Sequence, residues 1–143
     1  MKIMHKNVVI AGSRSITDKR KVFPYIKEGL VELAEKFEPH VFKVKKIISG
    51  GARGIDSLAE EFALAYNIPF KRMDADWDQY GKKAGHLRNA EMAEKGDALI
   101  LIWDGESRGS KNMLSEAKRK NLKIVEVLEE KPKPKVFHTL DNW

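Results

Sequence analysis

Short apolar runs alternate with stretches of helical periodicity along this chain, and that alternation leaves few architectures open. Residues 7–11 are almost continuously apolar and stop at Gly12, as expected of a strand covered on both faces. Val22, Phe23, Ile26, Leu30, Leu33 and Phe37 then recur at helical spacing, with Thr17 or Asp18 as cap, Pro24 tolerable only in the first turn, and an end before Pro39. Residues 46–48 read as a second strand, and Ile55, Leu58, Ala59, Phe62, Ala63 and Tyr66 as the stripe of a second helix closed by Asn67. Residues 68–73 suit a third, more exposed strand. Residues 74–85 carry no periodic pattern and read as a long loop, a candidate lid. Leu87, Ala90 and Ala93 mark a helix stopped at Gly96, residues 98–102 form the most hydrophobic run and the expected central strand, and residues 103–109 a further loop. Met113, Leu114 and Ala117 mark the last helix and residues 123–127 the last clear strand.

Strands and helices in strict alternation mean βαβ units. The prediction is an α/β fold: a Rossmann-like, doubly wound, mainly parallel sheet with helices on both faces, in a single domain over residues 1–128. Residues 129–143 are expected to form a basic Pro/Lys tail, extended on the surface, in which Val136 and Phe137 are able to add an edge strand. A chain of 143 residues that is 42% hydrophobic suffices for one such core and not for two. It has no cysteine, and its four histidines (His5, His40, His86, His138) include no i, i+4 pair, so no metal site and no cofactor is identified. No apolar run is long enough for a secretory leader or a membrane span, which points to a soluble, cytoplasmic protein without a membrane partner. A net charge of +6 favours anionic partners, either a small phosphorylated ligand or a nucleic acid.

In a doubly wound sheet ligands bind beyond the carboxyl ends of the strands, where the strand order reverses. Four predicted loops carry suitable chemistry there. Gly12, Ser13 and Arg14 offer a backbone amide, a hydroxyl and a guanidinium after the first strand. After the second, Ser49, Gly50, Gly51, Ala52, Arg53 and Gly54 form a glycine-rich loop that enters a helix at Ile55 and Asp56, a candidate phosphate cradle. It matches neither the G-x-G-x-x-G nor the G-x-x-x-x-G-K-[ST] spacing. Arg88 and Asn89 open the third helix with a bidentate donor and an amide. Asp104, Ser107, Arg108, Gly109 and Ser110 lead into the last helix, a second N-terminus suited to an anion. Asp56 and Asp104 are the carboxylates best placed to accept from ribose or base, and Trp77, Tyr80 and Trp103 are loop aromatics suited to stacking.

Taken in order, Gly12-Ser13-Arg14, residues 49–56, Arg88-Asn89 and residues 107–110 resemble the SLOG superfamily of Rossmann-like domains, in particular its YspA-type branch. The resemblance spans residues 7–127 and implies a nucleotide or nucleotide-derived phosphorylated ligand at the strand ends, bound by a sensing, sequestering or processing protein. Two related families imply alternatives. Residues 86–89 are similar to the motif that carries the catalytic arginine of Lonely Guy phosphoribohydrolases, which cleave the N-glycosidic bond of nucleoside monophosphates. Their catalytic glutamate has no counterpart, since Gly109-Ser110 is followed by Lys111, Asn112 and Met113 and no carboxylate comes before Glu116. In that reading Arg88, Asp56 and Asp104 are the catalytic candidates. The DNA-processing protein A (Smf) family, similar through residues 49–56 and Arg88-Asn89, implies single-stranded DNA as partner. A homo-oligomer is compatible with either.

Overall fold

A computed structural model describes residues 1–129. The chain folds as a Rossmann-like single domain with one five-stranded, fully parallel sheet in the order β3-β2-β1-β4-β5. The strands are β1 (Ile3–Gly12), β2 (Val41–Ser49), β3 (Phe70–Arg72), β4 (Ala98–Trp103) and β5 (Lys123–Leu128). The helices are α1 (Lys19–Lys36), α2 (Ile55–Ala65), α3 (Trp77–Tyr80), α4 (Ala84–Lys95) and α5 (Arg108–Arg119).

Side chains alternate across a strand, so an uninterrupted apolar run must be buried on both sides. In β1, Val8 and Ile10 join Val22, Ile26 and Leu33 of α1 and Ile55, Ala59 and Phe62 of α2, whereas Val9 and Ala11 join Met92 and Ala93 of α4 and Met113 and Ala117 of α5. The same division runs through β4, with Ile100 and Ile102 on one side and Leu99 and Leu101 on the other. Each fully buried Ile or Leu contributes about 1.5–3 kcal/mol relative to exposure, so the two layers dominate stability. No helix among the described residues is long and apolar enough to cross a membrane.

Several local expectations need correction. Residues 98–102 are interior but not central; β1 holds the middle of the sheet and β4 lies beside it. β1 and β2 extend further toward their N-termini than their apolar runs, through an alternating half-exposed ribbon in which Ile3 pairs with Val41 and His5 with Lys43. Pro24 is the sixth residue of α1, not a first-turn residue. The carbonyl its missing N–H would have met belongs to Arg20, and both residues are exposed, so the lost bond falls on the solvent side of the helix. Residues 74–85 are not structureless: Asp76 caps α3 by accepting from the Gln79 N–H at 3.1 Å, a 3₁₀ turn (Gly81–Lys83) follows, and α4 starts at Ala84. Glu129, placed in the tail by sequence, still follows the sheet, its N–H donating to the Trp103 carbonyl at 2.8 Å and its carboxylate 3.3 Å from Lys21 Nζ. The rest of the expected tail, with Val136 and Phe137, lies outside the described residues.

The chain runs from β1 outward through β2 to β3, then returns to place β4 on the other side of β1. The connections after β1 and β4 therefore diverge, opening a crevice at the carboxyl ends of these two strands.

Candidate ligand site

The crevice is lined from both sides of the strand-order reversal. At Gly12 a Cβ would fall 1.8 Å from the Ile102 carbonyl oxygen, so only glycine lets β1 pass β4 this closely. Ser13, 2% exposed, then ties the two loops: its Oγ accepts from the Asp104 N–H at 3.1 Å and lies 3.1 Å from Ser107 Oγ. Gly54, with φ of +74°, brings α2 down onto the same loop, where a Cβ would sit 2.5 Å from the Ser13 and Arg14 carbonyl oxygens.

The glycine-rich loop is shaped by what presses against it. A Cβ on Gly50 would lie 2.3 Å from Arg88 Nη1 and 2.7 Å from Asp56 Oδ2, and one on Gly51 would lie 2.0 Å from Asp74 Oδ1. These two glycines thus make room for side chains of other elements. Beneath them Ser49 and Asp56 are buried. Ser49 Oγ reaches both the Ile10 carbonyl and, at 3.2 Å, Asp56 Oδ1, but it has one hydrogen to give. Burial raises the Asp56 pKa, opposed by the Arg88 charge, the Ala52 N–H bond to Oδ2 at 3.2 Å, Ser49 and Arg14. The Ser49 hydroxyl is thus shared between the Ile10 carbonyl and the Asp56 carboxyl, and the hydrogen bonds Asp56 accepts partly offset its burial.

Opposite this loop, α4 and α5 are stitched together by Asn89. Its Nδ2 donates to the Gly109 carbonyl at 3.2 Å and to Asn112 Oδ1 at 2.9 Å, and its Oδ1 accepts from Arg88 Nε at 3.1 Å. Arg88 is further steadied by Nη1 donating to the Met73 carbonyl at 3.4 Å. Asp104 Oδ1 accepts from the Glu106 and Ser107 N–H groups, both at 2.9 Å, folding the turn that enters α5. Ser107 occupies the N-cap position, but its side chain makes no capping bond. The first turn of α5 therefore receives no capping bond at its positive end from the Ser107 side chain. Gly109 lies in that turn with nothing within 4 Å of where a Cβ would stand.

Two adjoining cavities result. The larger, about 560 Å³, brings together most of the residues expected from sequence: Gly12, Ser13, Arg14, Ala52 and Asp56 on one side, Arg88, Asn89, Asp104, Ser107, Arg108, Gly109 and Ser110 on the other. The second, about 470 Å³, shares Arg14, Ala52 and Arg88 with the first and adds Gly51 and Arg53. Ser49, Gly50 and Gly54 line neither and support the loop from behind. Of the three aromatics, Trp77 lines the second cavity and is 52% exposed, and Tyr80 is 48% exposed on α3. Trp103 is a correction: it ends β4, is buried, and donates Nε1 to Glu126 Oε2 at 2.7 Å, so it cannot stack on a ligand.

Sequence reasoning passed over several lining residues. Ala11, Met92 and Met113 form apolar lining of the larger cavity, which Ser15 and Glu106 also line; Arg72, Asp74 and Ala75 line the smaller. Met92 lies one helical turn beyond Arg88, a spacing that was available to find it. Arg72 ends a strand whose neighbours' ends were already singled out, and the same rule applies to it.

No protein-family model matches the chain. Over 126 residues it is 31% identical to the Gene 61 protein of Mycobacterium phage D29, an alignment that covers 84% of this chain and 94% of that protein. At that identity and coverage the chain belongs to the same family as the phage Gene 61 protein.

Proposed function

We propose that this protein binds a nucleotide or nucleotide-derived phosphorylated ligand in the larger cavity, and that it is a member of the SLOG superfamily. The observation that carries the reading is the first turn of α5. Its N-cap side chain makes no capping bond and meets Ser13 instead, Gly109 leaves the approach clear, and Arg88 and Arg108 line the same cavity. Helix N–H groups, a helix dipole and guanidinium forks are the groups that hold a phosphate. The apolar lining from Met92 and Met113 suits a base. Binding is favoured over hydrolysis because the candidate carboxylates already serve the fold, Asp56 with Ser49 and Ala52, Asp104 Oδ1 with two loop N–H groups. A chain without cysteine suits a reducing cytoplasm.

The test is mass spectrometry of nucleotides released from freshly purified, denatured protein, followed by calorimetric titration of the nucleotide found, or of the common nucleoside monophosphates if none is retained. Arg88→Ala is expected to weaken binding by about 1.5–3 kcal/mol, the scale of a charge-assisted hydrogen bond. Unchanged affinity in a folded Arg88→Ala variant contradicts the reading. Single-stranded DNA as the true partner would instead show as oligonucleotide affinity that falls steeply with salt while mononucleotides fail to bind.

A further inference from the structure

The two adjoining cavities differ in charge. In the larger, Arg14, Arg88 and Arg108 face the carboxyl groups of Asp56, Asp104 and Glu106. In the smaller, Arg14, Arg53, Arg72 and Arg88 converge with Asp74 as the carboxylate lining it, and Asp74 Oδ1 is engaged by Arg72 Nε at 2.8 Å. Guanidinium groups brought together from four separate segments repel one another, and an anion between them removes that repulsion. The arrangement is also built into the backbone: Gly51 is needed for the Arg72–Asp74 pair to lie against the loop, and Gly50 for Arg88 to reach beneath it. At the rim stands Trp77, half-exposed, with Cη2 3.3 Å from where a Gly85 Cβ would be. An exposed indole beside a guanidinium cluster is a stacking platform for a base.

We infer that the smaller cavity is a second anion subsite, and that the whole site takes a ligand with two separate phosphoryl groups, of the class of a 5′-phosphorylated dinucleotide. The terminal phosphate lies at the first turn of α5, the phosphodiester lies among the arginines of the smaller cavity, and the second base stacks on Trp77. This deepens the nucleotide-binding reading and rests on it.

The test is calorimetric titration of the protein with the 5′-phosphorylated homodinucleotides of the four bases and with the matching nucleoside 5′-monophosphates. The expected result is a dinucleotide that binds at least tenfold more tightly than its monophosphate. An Arg72→Ala, Trp77→Ala double variant, altered only at exposed positions that line the smaller cavity and not the larger, should reduce the dinucleotide to monophosphate-like affinity and leave the monophosphate unchanged. Trp77→Ala should weaken the dinucleotide selectively. Equal affinity of dinucleotide and monophosphate for the wild type, or equal loss of both in the double variant, overturns the second subsite while leaving nucleotide binding standing. Failure of every monophosphate and dinucleotide to bind the wild type overturns both.

Discussion

Asp56 illustrates how burial redefines a residue chosen from sequence as a ligand acceptor. At 6% exposure its carboxyl pKa is raised, chiefly by desolvation. The unfolded carboxyl titrates near its ordinary value of about 3.9. Below that value both states are protonated and the folded state has its full advantage; as pH rises through the folded pKa the unfolded chain has already released its proton, and stability is lost. Asp56→Asn keeps a polar partner for Ser49 and an acceptor for the Ala52 N–H but does not titrate, so its thermal stability should lack this decline, whereas wild type shows it. Asp56→Ala, which strands the Ala52 N–H and leaves Ser49 only the Ile10 carbonyl, should cost about 1–3 kcal/mol by denaturant unfolding. Glycines divide in a similar way. Gly12→Ala places a methyl 1.8 Å from a backbone oxygen and should destabilise by about 1–3 kcal/mol or more. Gly109→Ala meets open space and should stabilise by up to about 1 kcal/mol while weakening the ligand. In the sequence all these glycines look alike; only the neighbours brought in from distant segments separate them.

At the level of elements, the site depends on how α5 is held. Asn89 joins α4 to both the first turn of α5 and Asn112, and is 4% exposed. Asn89→Ala should therefore cost about 1–3 kcal/mol and speed amide exchange in the first turn of α5, measurable by hydrogen exchange. The elements themselves were largely legible, since continuous apolar runs and 3.6-residue stripes mark the buried parts of β1, β2, β4 and the four long helices. What escaped has physical reasons. A four-residue helix such as α3 is too short for a period to register, and the outer parts of β1 and β2 alternate polar with apolar residues because one side of that ribbon is solvated. Trp103 followed a strand that sequence ended one residue early, which turned a core residue into an apparent loop residue.

For the whole molecule, topology does most of the positioning. Reversal of strand order between β1 and β4 brings residues separated by more than ninety positions, such as Ser13 and Ser107, into hydrogen-bonding contact. The larger cavity was legible for that reason, as the strand-end rule needs only the order of elements. The smaller was not: Arg14, Arg53, Arg72 and Arg88 come from separate segments, and no spacing along the chain reveals their convergence. If the site binds its ligand only in the folded state, a nucleotide at 100 times its Kd should raise the unfolding free energy by about 2.7 kcal/mol, seen as a concentration-dependent rise in Tm.

The proposed nucleotide position lies between the glycine-rich loop and the first turn of α5. Backbone amide NMR of the protein titrated with nucleoside 5′-monophosphates tests it most directly. Saturable shifts are expected to concentrate at Arg14, Ala52, Arg88 and residues 108–110 and to be lost in Arg88→Ala. Saturable shifts confined to surfaces away from the β1–β4 crevice, or none with any of the four bases, would contradict it.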